Sequence, residues 1–134
     1  VTRVPFMIRT PGLKPGRTSS LAELVDLYPT CLDLLELSQP KEIVGKSLLP
    51  ILEKPNTKVR ETALSLHNEK HLKNKGYAIR SANWTYMNYG DQGEVFYNMT
   101  KDAHQYTNLI DEPDYVETIL KARKQLSKRL QQVY

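Results

Sequence analysis

The chain has 134 residues, 40% of them apolar, and a net charge of +4. That length suits one domain, or one small domain plus part of another. No apolar run approaches the roughly 18–20 residues of a membrane helix, and the longest candidate, Leu21 to Leu37, is broken by Glu23, Asp26, Asp33 and Glu36. Cys31 is the only cysteine, which excludes an intrachain disulfide and a Cys-based zinc site.

In chain order, Val4 to Arg9 is a short apolar run ended by Thr10-Pro11-Gly12 and reads as a buried strand. No basic start, apolar stretch and small-residue cleavage site precede it, and an opening near VPFMIRTP without Met reads as an internal fragment. Gly12 to Ser20 reads as a loop. Ser19 or Ser20 can cap the following helix, with Glu23 completing a capping box after Ser20. Leu21, Leu24, Val25, Leu27, Tyr28, Leu32, Leu34 and Leu35 recur at helical spacing, and Pro29 should bend or split that helix. Cys31 falls on its apolar side and is expected to pack as a small hydrophobe. A short helical turn is predicted at Ser47 to Leu52, and the implied boundary lies near Pro55.

From Glu61 the pattern changes. Thr62 to His67, Gly76 to Ser81, Trp84 to Tyr89 and Glu94 to Asn98 are β-prone runs, the last three separated by turn formers. They predict a small antiparallel meander. A final helix over about 114–132 places Tyr115, Ile119, Ala122, Leu126, Leu130 and Val133 on one stripe that should cover the sheet. The basic residues Lys121, Arg123, Lys124, Lys128 and Arg129 end this helix, whose start is acidic, as the helix dipole favours. A solvated helix face explains them better than a nucleic-acid patch, because no aromatics are interleaved.

Of the three histidines, His67 and His71 are four apart, a ligand spacing on a helix. HNEKHLKNKG, however, reads as a polar loop after a strand, with no third ligand at a recognisable spacing. Two histidines with Lys70, Lys73 and Lys75 fit an anion-contacting surface better than zinc, and a plain solvated loop better still. No Gly-rich phosphate loop, Gly-x-Ser-x-Gly elbow or His-Glu-x-x-His occurs. Asp91, Asp102 and Asp111 fall in predicted turns, where Asp is ordinary backbone chemistry. Asn83-Trp84-Thr85 and Asn98-Met99-Thr100 match the glycosylation pattern by chance. Trp84, Tyr86, Tyr89, Phe96 and Tyr97 read as sheet-face packing rather than a sugar platform.

Four stretches carry a family resemblance: VPFMIRTPG (4–12), ELVDLYPTCLDLLEL (23–37) with GKSLLPIL (45–52), GYAIRSANWTYMNYG (76–90), and VFYNMTKDAHQYTNLIDEPDY (95–115). Together they resemble the C-terminal part of sulfatases of the alkaline-phosphatase-like superfamily, and within it the bacterial iduronate-2-sulfatase-like members. The departures are mild: Ala103 for the usual Pro, Thr85 for a basic residue, Cys31 for Leu.

The resemblance implies an α+β arrangement. Residues 56–134 would form a small subdomain, a four-stranded antiparallel sheet packed by a long C-terminal helix. Residues 1–55 would supply a strand and helix from the edge of the α/β catalytic domain. It implies a sulfuric ester hydrolase acting on a sulfated carbohydrate, with a formylglycine nucleophile and calcium in the parent enzyme. No catalytic or metal residue carries over: Cys31 is followed by Leu32-Asp33-Leu34-Leu35 and lacks the Cys/Ser-x-Pro/Ser-x-Arg motif, and the family's metal aspartates and lysine precede Val4. The chain alone is therefore expected to be inactive.

His67, Lys70 and His71 are the candidate substrate-binding residues, at the rim of the substrate pocket. The expected partners are the missing N-terminal catalytic domain and a sulfated saccharide, with no nucleic acid and no membrane. An isolated fragment could dimerise through an unpaired VPFMIRTP edge. The resemblance points to a periplasmic or secreted parent. A non-catalytic module binding sulfated glycans, or a purely structural piece, stays open as the alternative.

Overall fold

A computed structural model describes residues 4–67 and 76–133. It holds two compact units, Val1–Glu61 and Thr62–Tyr134.

In the first unit a 3₁₀ turn at Leu24–Asp26 runs into helix α1 (Leu27–Leu34), and helix α2 is a short piece at Leu49–Glu53. The cap comes later than the Ser20–Glu23 pattern predicts. Asp26 accepts a hydrogen bond from the Glu23 N–H at 2.7 Å, while Ser20 donates its hydroxyl to the Thr57 carbonyl at 2.6 Å. Pro29 therefore falls in the first turn of α1, where N–H groups have no helical acceptor. It removes no bond there, and the expected bend or split is replaced by a start just upstream.

Asp26 organises this unit. It is fully buried, and its carboxylate also accepts the Lys46 N–H at 2.8 Å and a short bond from the Arg60 guanidinium. Thr30, one turn on, accepts the Leu48 N–H at 2.9 Å. Just before these two links Gly45 lies so close that a Cβ would stand 2.1 Å from the Val25 carbonyl oxygen. Only glycine permits that approach. Arg60, with its side chain 2% exposed, has Glu23 as a second carboxylate 2.7 Å from Nη1. That contact is an ion pair lying off the hydrogen-bonding line, and Arg60 Nε has no hydrogen-bond partner among the described residues.

Two expectations fail here. Val4 to Arg9 forms no strand, and Val4, Phe6 and Met7 are exposed. An apolar run becomes a strand only with a ladder partner, and no strand among the described residues pairs with it. Cys31 is exposed rather than packed. Asp26 and Thr30 define the inward side of α1, so the polar contacts outrank the apolar periodicity and turn Leu24, Tyr28, Cys31 and Leu35 outward.

The second unit is the α+β fold expected. Strands β1 (Ala63–His67), β2 (Gly76–Arg80), β3 (Trp84–Asn88) and β4 (Glu94–Asn98) form one antiparallel sheet in chain order. The register aligns Leu64, Ile79, Tyr86 and Phe96 across all of them. Alternation then puts this whole row on one face. Helix α3 (Val116–Gln131) follows a 3₁₀ turn that starts at Pro113. Its Ile119, Ala122 and Leu126 close the core with Ile79, Tyr86 and Phe96, all at most 5% exposed. Each large side chain buried this fully stabilises by roughly 1.5–3 kcal/mol. Phe96 also meets the Trp84 and Tyr115 rings at 6.1 and 5.6 Å.

The 98–110 segment returns to the sheet. Asn98 Oδ1 accepts the Thr100 and Lys101 N–H groups, Asp102 accepts the Thr107 N–H at 2.8 Å, and Gln105 sits at φ +61°. Asn108 then reaches β4: its Oδ1 accepts the Phe96 N–H at 2.9 Å while the Leu109 N–H donates to the Phe96 carbonyl at 2.8 Å. Those are the outward backbone groups of an edge strand, which would otherwise invite another strand.

Candidate functional site

His67 is the last residue of β1 and lies opposite Gly76, the first of β2, so the segment 68–75 connects these two strand ends. The His67 side chain is exposed. Lys70 and His71 lie outside the described residues. A Cβ on Gly76 would stand 3.2 Å from the Tyr89 ring and 3.4 Å from the His67 Cβ, so glycine lets the ring settle over the strand end beside His67. The Tyr89 hydroxyl donates to the Met87 sulfur at 3.1 Å, which holds that ring in place. Of the three residues named from sequence, the structure thus places His67 at the mouth of the β1–β2 connection.

Sequence reasoning missed a second polar cluster, between the sheet and α3. Glu94 Oε1 accepts the Tyr86 hydroxyl at 2.6 Å and the Asn88 amide at 3.1 Å. Its Oε2 accepts Arg123 Nε at 2.9 Å and a shorter bond from Nη2. Burial alone would raise the Glu94 carboxyl, but hydrogen bonds from Arg123 and Tyr86, with the Arg123 charge, leave it below its ordinary value. Burial and the bond to Glu94 push the Tyr86 phenol up, and the bond to Glu94 raises Arg123. A carboxylate with both oxygens occupied and its charge stabilised is a poor proton acceptor. The cluster is a clamp that fastens α3 to β3 and β4. An open groove of about 710 Å³ runs beside it, past Leu126 and Leu130. One signal for it exists in the sequence: Tyr86 and Asn88 alternate on β3, which puts Tyr86 on the face where Asn88 pairs with Glu94.

The remaining basic residues of α3 fit the solvated-face reading. Lys121, Lys124 and Lys128 are exposed, and Arg129 donates to Gln132 at 3.1 Å. Asn98 is engaged by its own turn and donates to the Tyr115 hydroxyl at 3.2 Å. Among the described residues no helix is long and apolar enough to cross a membrane.

A family model described as N-sulphoglucosamine sulphohydrolase, C-terminal, matches residues 1–133. The chain belongs to that sulfatase family. It is 32% identical over 127 residues to arylsulfatase K of Danio rerio, covering 88% of the chain and 24% of that relative. It is 32% identical over 136 residues to an arylsulfatase of Clostridium perfringens, covering 96% of the chain and 28% of that relative. A solved 2-O GAG sulfatase, BT1596, superposes with a TM-score of 0.70 at 29% identity, over 79% of the chain and 24% of that structure. A phosphonate monoester hydrolase from Silicibacter pomeroyi shares the fold alone, with a TM-score of 0.75 at 21% identity over 92% of the chain and 28% of that structure. The chain spans about a quarter of the curated relatives' length.

Sulfatases use a formylglycine and calcium, and the described residues of this C-terminal domain do not fit either group. Cys31 is exposed on α1 without the modification motif around it. Among the described residues no three His, Cys, Asp or Glu side chains converge. Asp26, the one fully buried carboxylate among the described residues, is already surrounded by donors.

Proposed function

We propose that this chain is the C-terminal portion of a sulfuric ester hydrolase acting on a sulfated carbohydrate, of the iduronate-2-sulfatase-like kind. The formylglycine and calcium belong to the N-terminal catalytic domain, which is its partner. Residues 1–55 form the edge of that α/β domain, and residues 56–134 are the small subdomain that lends the substrate-pocket rim. The match of the family model along residues 1–133 carries this reading. The 29% identity to a 2-O GAG sulfatase supports the choice of a sulfated sugar.

The rim contact is the β1–β2 connection, with His67, Lys70 and His71 reaching an anionic sugar. Its support is the placing of His67 at the strand end and the run of two histidines and three lysines that follows. Cations at a pocket rim favour an anionic substrate over its neutral analogue. Alanine at His67, Lys70 and His71 in the intact sulfatase should raise KM for a 2-O-sulfated uronate disaccharide about tenfold. The kcat should be nearly unchanged. Unaltered kcat/KM in the triple variant would remove these residues from the site.

A further inference from the structure

The 98–110 segment carries a feature that neither the ester-hydrolysis reading nor the core requires. Tyr106 is 84% exposed, the second most exposed large apolar side chain among the described residues. Its ring stacks on His104, also exposed, with centroids 5.5 Å apart and planes inclined by 28°. Between them Gln105 holds φ +61°, a left-handed backbone that residues with a Cβ rarely adopt. Strain of this kind persists only where its surroundings impose it, and it gathers at binding surfaces.

The surroundings here are stiff. Gln105 N–H donates to the Asp102 carbonyl at 3.2 Å and its side-chain amide reaches the Met99 sulfur at 3.4 Å. Asp102 and Asn108 pin the two arms of the turn, as described above. The ring pair is thus presented on a fixed support with little freedom left to lose on binding, which is what favours affinity.

We infer that the His104–Tyr106 pair is a stacking platform for a sugar ring, a carbohydrate contact separate from the β1–β2 connection. A pyranose offers a flat patch of C–H groups rimmed by hydroxyls. The complement is an isolated aromatic face with a polar tip and polar neighbours. Tyr106 supplies the face and phenol, His104 a ring nitrogen, and Lys101 and Thr107 an exposed polar rim. A protein partner would want a contiguous apolar patch. The residues flanking the pair, Lys101, Asp102, Ala103, Thr107 and Asn108, do not make one. Strand direction separates the two contacts: β4 ends at Asn98, in the row of Trp84, whereas His67 and Gly76 close the opposite end of the sheet. A platform there would hold a sugar away from the β1–β2 connection, as on a polymeric glycan.

The inference rests on the sulfated-carbohydrate reading only in the choice of ligand class. The test uses the full chain and two probes, a neutral N-acetylglucosamine-containing disaccharide and a heparan-type tetrasaccharide, followed through the Tyr106 and His104 ring resonances by NMR. Both probes should shift those resonances with millimolar affinity, and the neutral probe should do so independently of salt. Tyr106→Ala should weaken the neutral probe about tenfold, whereas Tyr106→Phe keeps it. Lys128→Ala, at an exposed position of α3, should leave it unchanged, and because the neutral probe carries no sulfate this result is independent of the rim hypothesis. Tyr106 is exposed enough that its variants fold, which amide dispersion verifies. Absence of ring shifts at tens of millimolar disaccharide, or equal binding by Tyr106→Ala, would overturn the platform.

Discussion

Asp26→Asn is the most exacting test of how the first unit is held. The native carboxylate accepts three bonds, Oδ1 from Lys46 N–H and Arg60, Oδ2 from Glu23 N–H. Every neighbour is a donor. Asparagine has one acceptor oxygen, so its amide nitrogen must face one donor in one orientation and two in the other. If the oxygen keeps Lys46 and Arg60, the Glu23 N–H is orphaned and faces another donor. Leaving one such group unsatisfied costs about 1–3 kcal/mol. The charge opposite Arg60 is lost as well, and breaking a buried pair outright costs about 3–5 kcal/mol. Glu23 remains beside Arg60 Nη1, so only part of that second cost applies. The expected loss is about 2–4 kcal/mol, from overlapping rather than additive terms.

Because the chain has two units, one melting curve would mix them, and amide exchange is the sharper assay. The Lys46 and Leu48 amides should lose about thirtyfold to a thousandfold in protection, while the Tyr86 amide is unchanged. Asp33→Asn serves as the control, since among the described residues the Asp33 carboxylate meets Gln39 at the surface, and it should alter nothing by more than about 0.5 kcal/mol. Unchanged Lys46 protection in Asp26→Asn would refute the view that this carboxylate holds the unit together.

Other outcomes follow from the same contacts. Asn108→Ala leaves the Phe96 N–H without its acceptor and should cost about 1–3 kcal/mol in urea unfolding; it should also raise self-association in sedimentation as the β4 edge opens. Glu94 lies below its ordinary value of 4.5 when folded, so its contribution is complete above that pH and fades as pH falls through the lower folded value. Arg123 is 46% exposed at its side chain, which keeps the effect under about 1 kcal/mol. Glu94→Gln should flatten that limb of an acid titration of stability, and an unaltered profile would contradict the assignment. Tyr86 acts at the other end: its phenol is raised above 10.0, so its share is present below that pH and lost as pH climbs through the folded value. Cys31 should react with a thiol reagent in the native state as fast as in an unfolded control, and protection would show that its side of α1 is covered.

The sheet was legible because its signals are local. The last three strands are separated by turn formers, and the Leu64–Ile79–Tyr86–Phe96 row follows once period-two alternation is laid out. The stripe on α3 was legible for the same reason, with Ile119, Ala122 and Leu126 buried as their spacing requires. Helix α1 misled because its inward side is polar. Counting leucines cannot reveal that Asp26 and Thr30 face in, since the donors they satisfy lie 20 and 18 residues away. Those links also explain why 23–37 and 45–52 make one motif: Asp26 and Thr30 bind the backbone of Lys46 and Leu48, and Gly45 beside them lets the chain approach Val25. At the candidate site, His67 was readable as a strand end. The Arg123 arm of the clamp was not, because Arg123 comes 29 residues after Glu94 and looks like any other basic helix residue.

One consequence of the Asp26 links concerns how this sequence can change length. Asp26 and Thr30 fix the first half of α1 to Lys46 and Leu48, so the exposed residues 36–42, between the end of α1 and Lys46, form a loop tied at both ends. Doubling such a loop adds only about 0.6 kcal/mol of closure entropy. Insertions should therefore gather there among homologous chains, and an affinity tag or a circular break placed there would leave the buried charges in register.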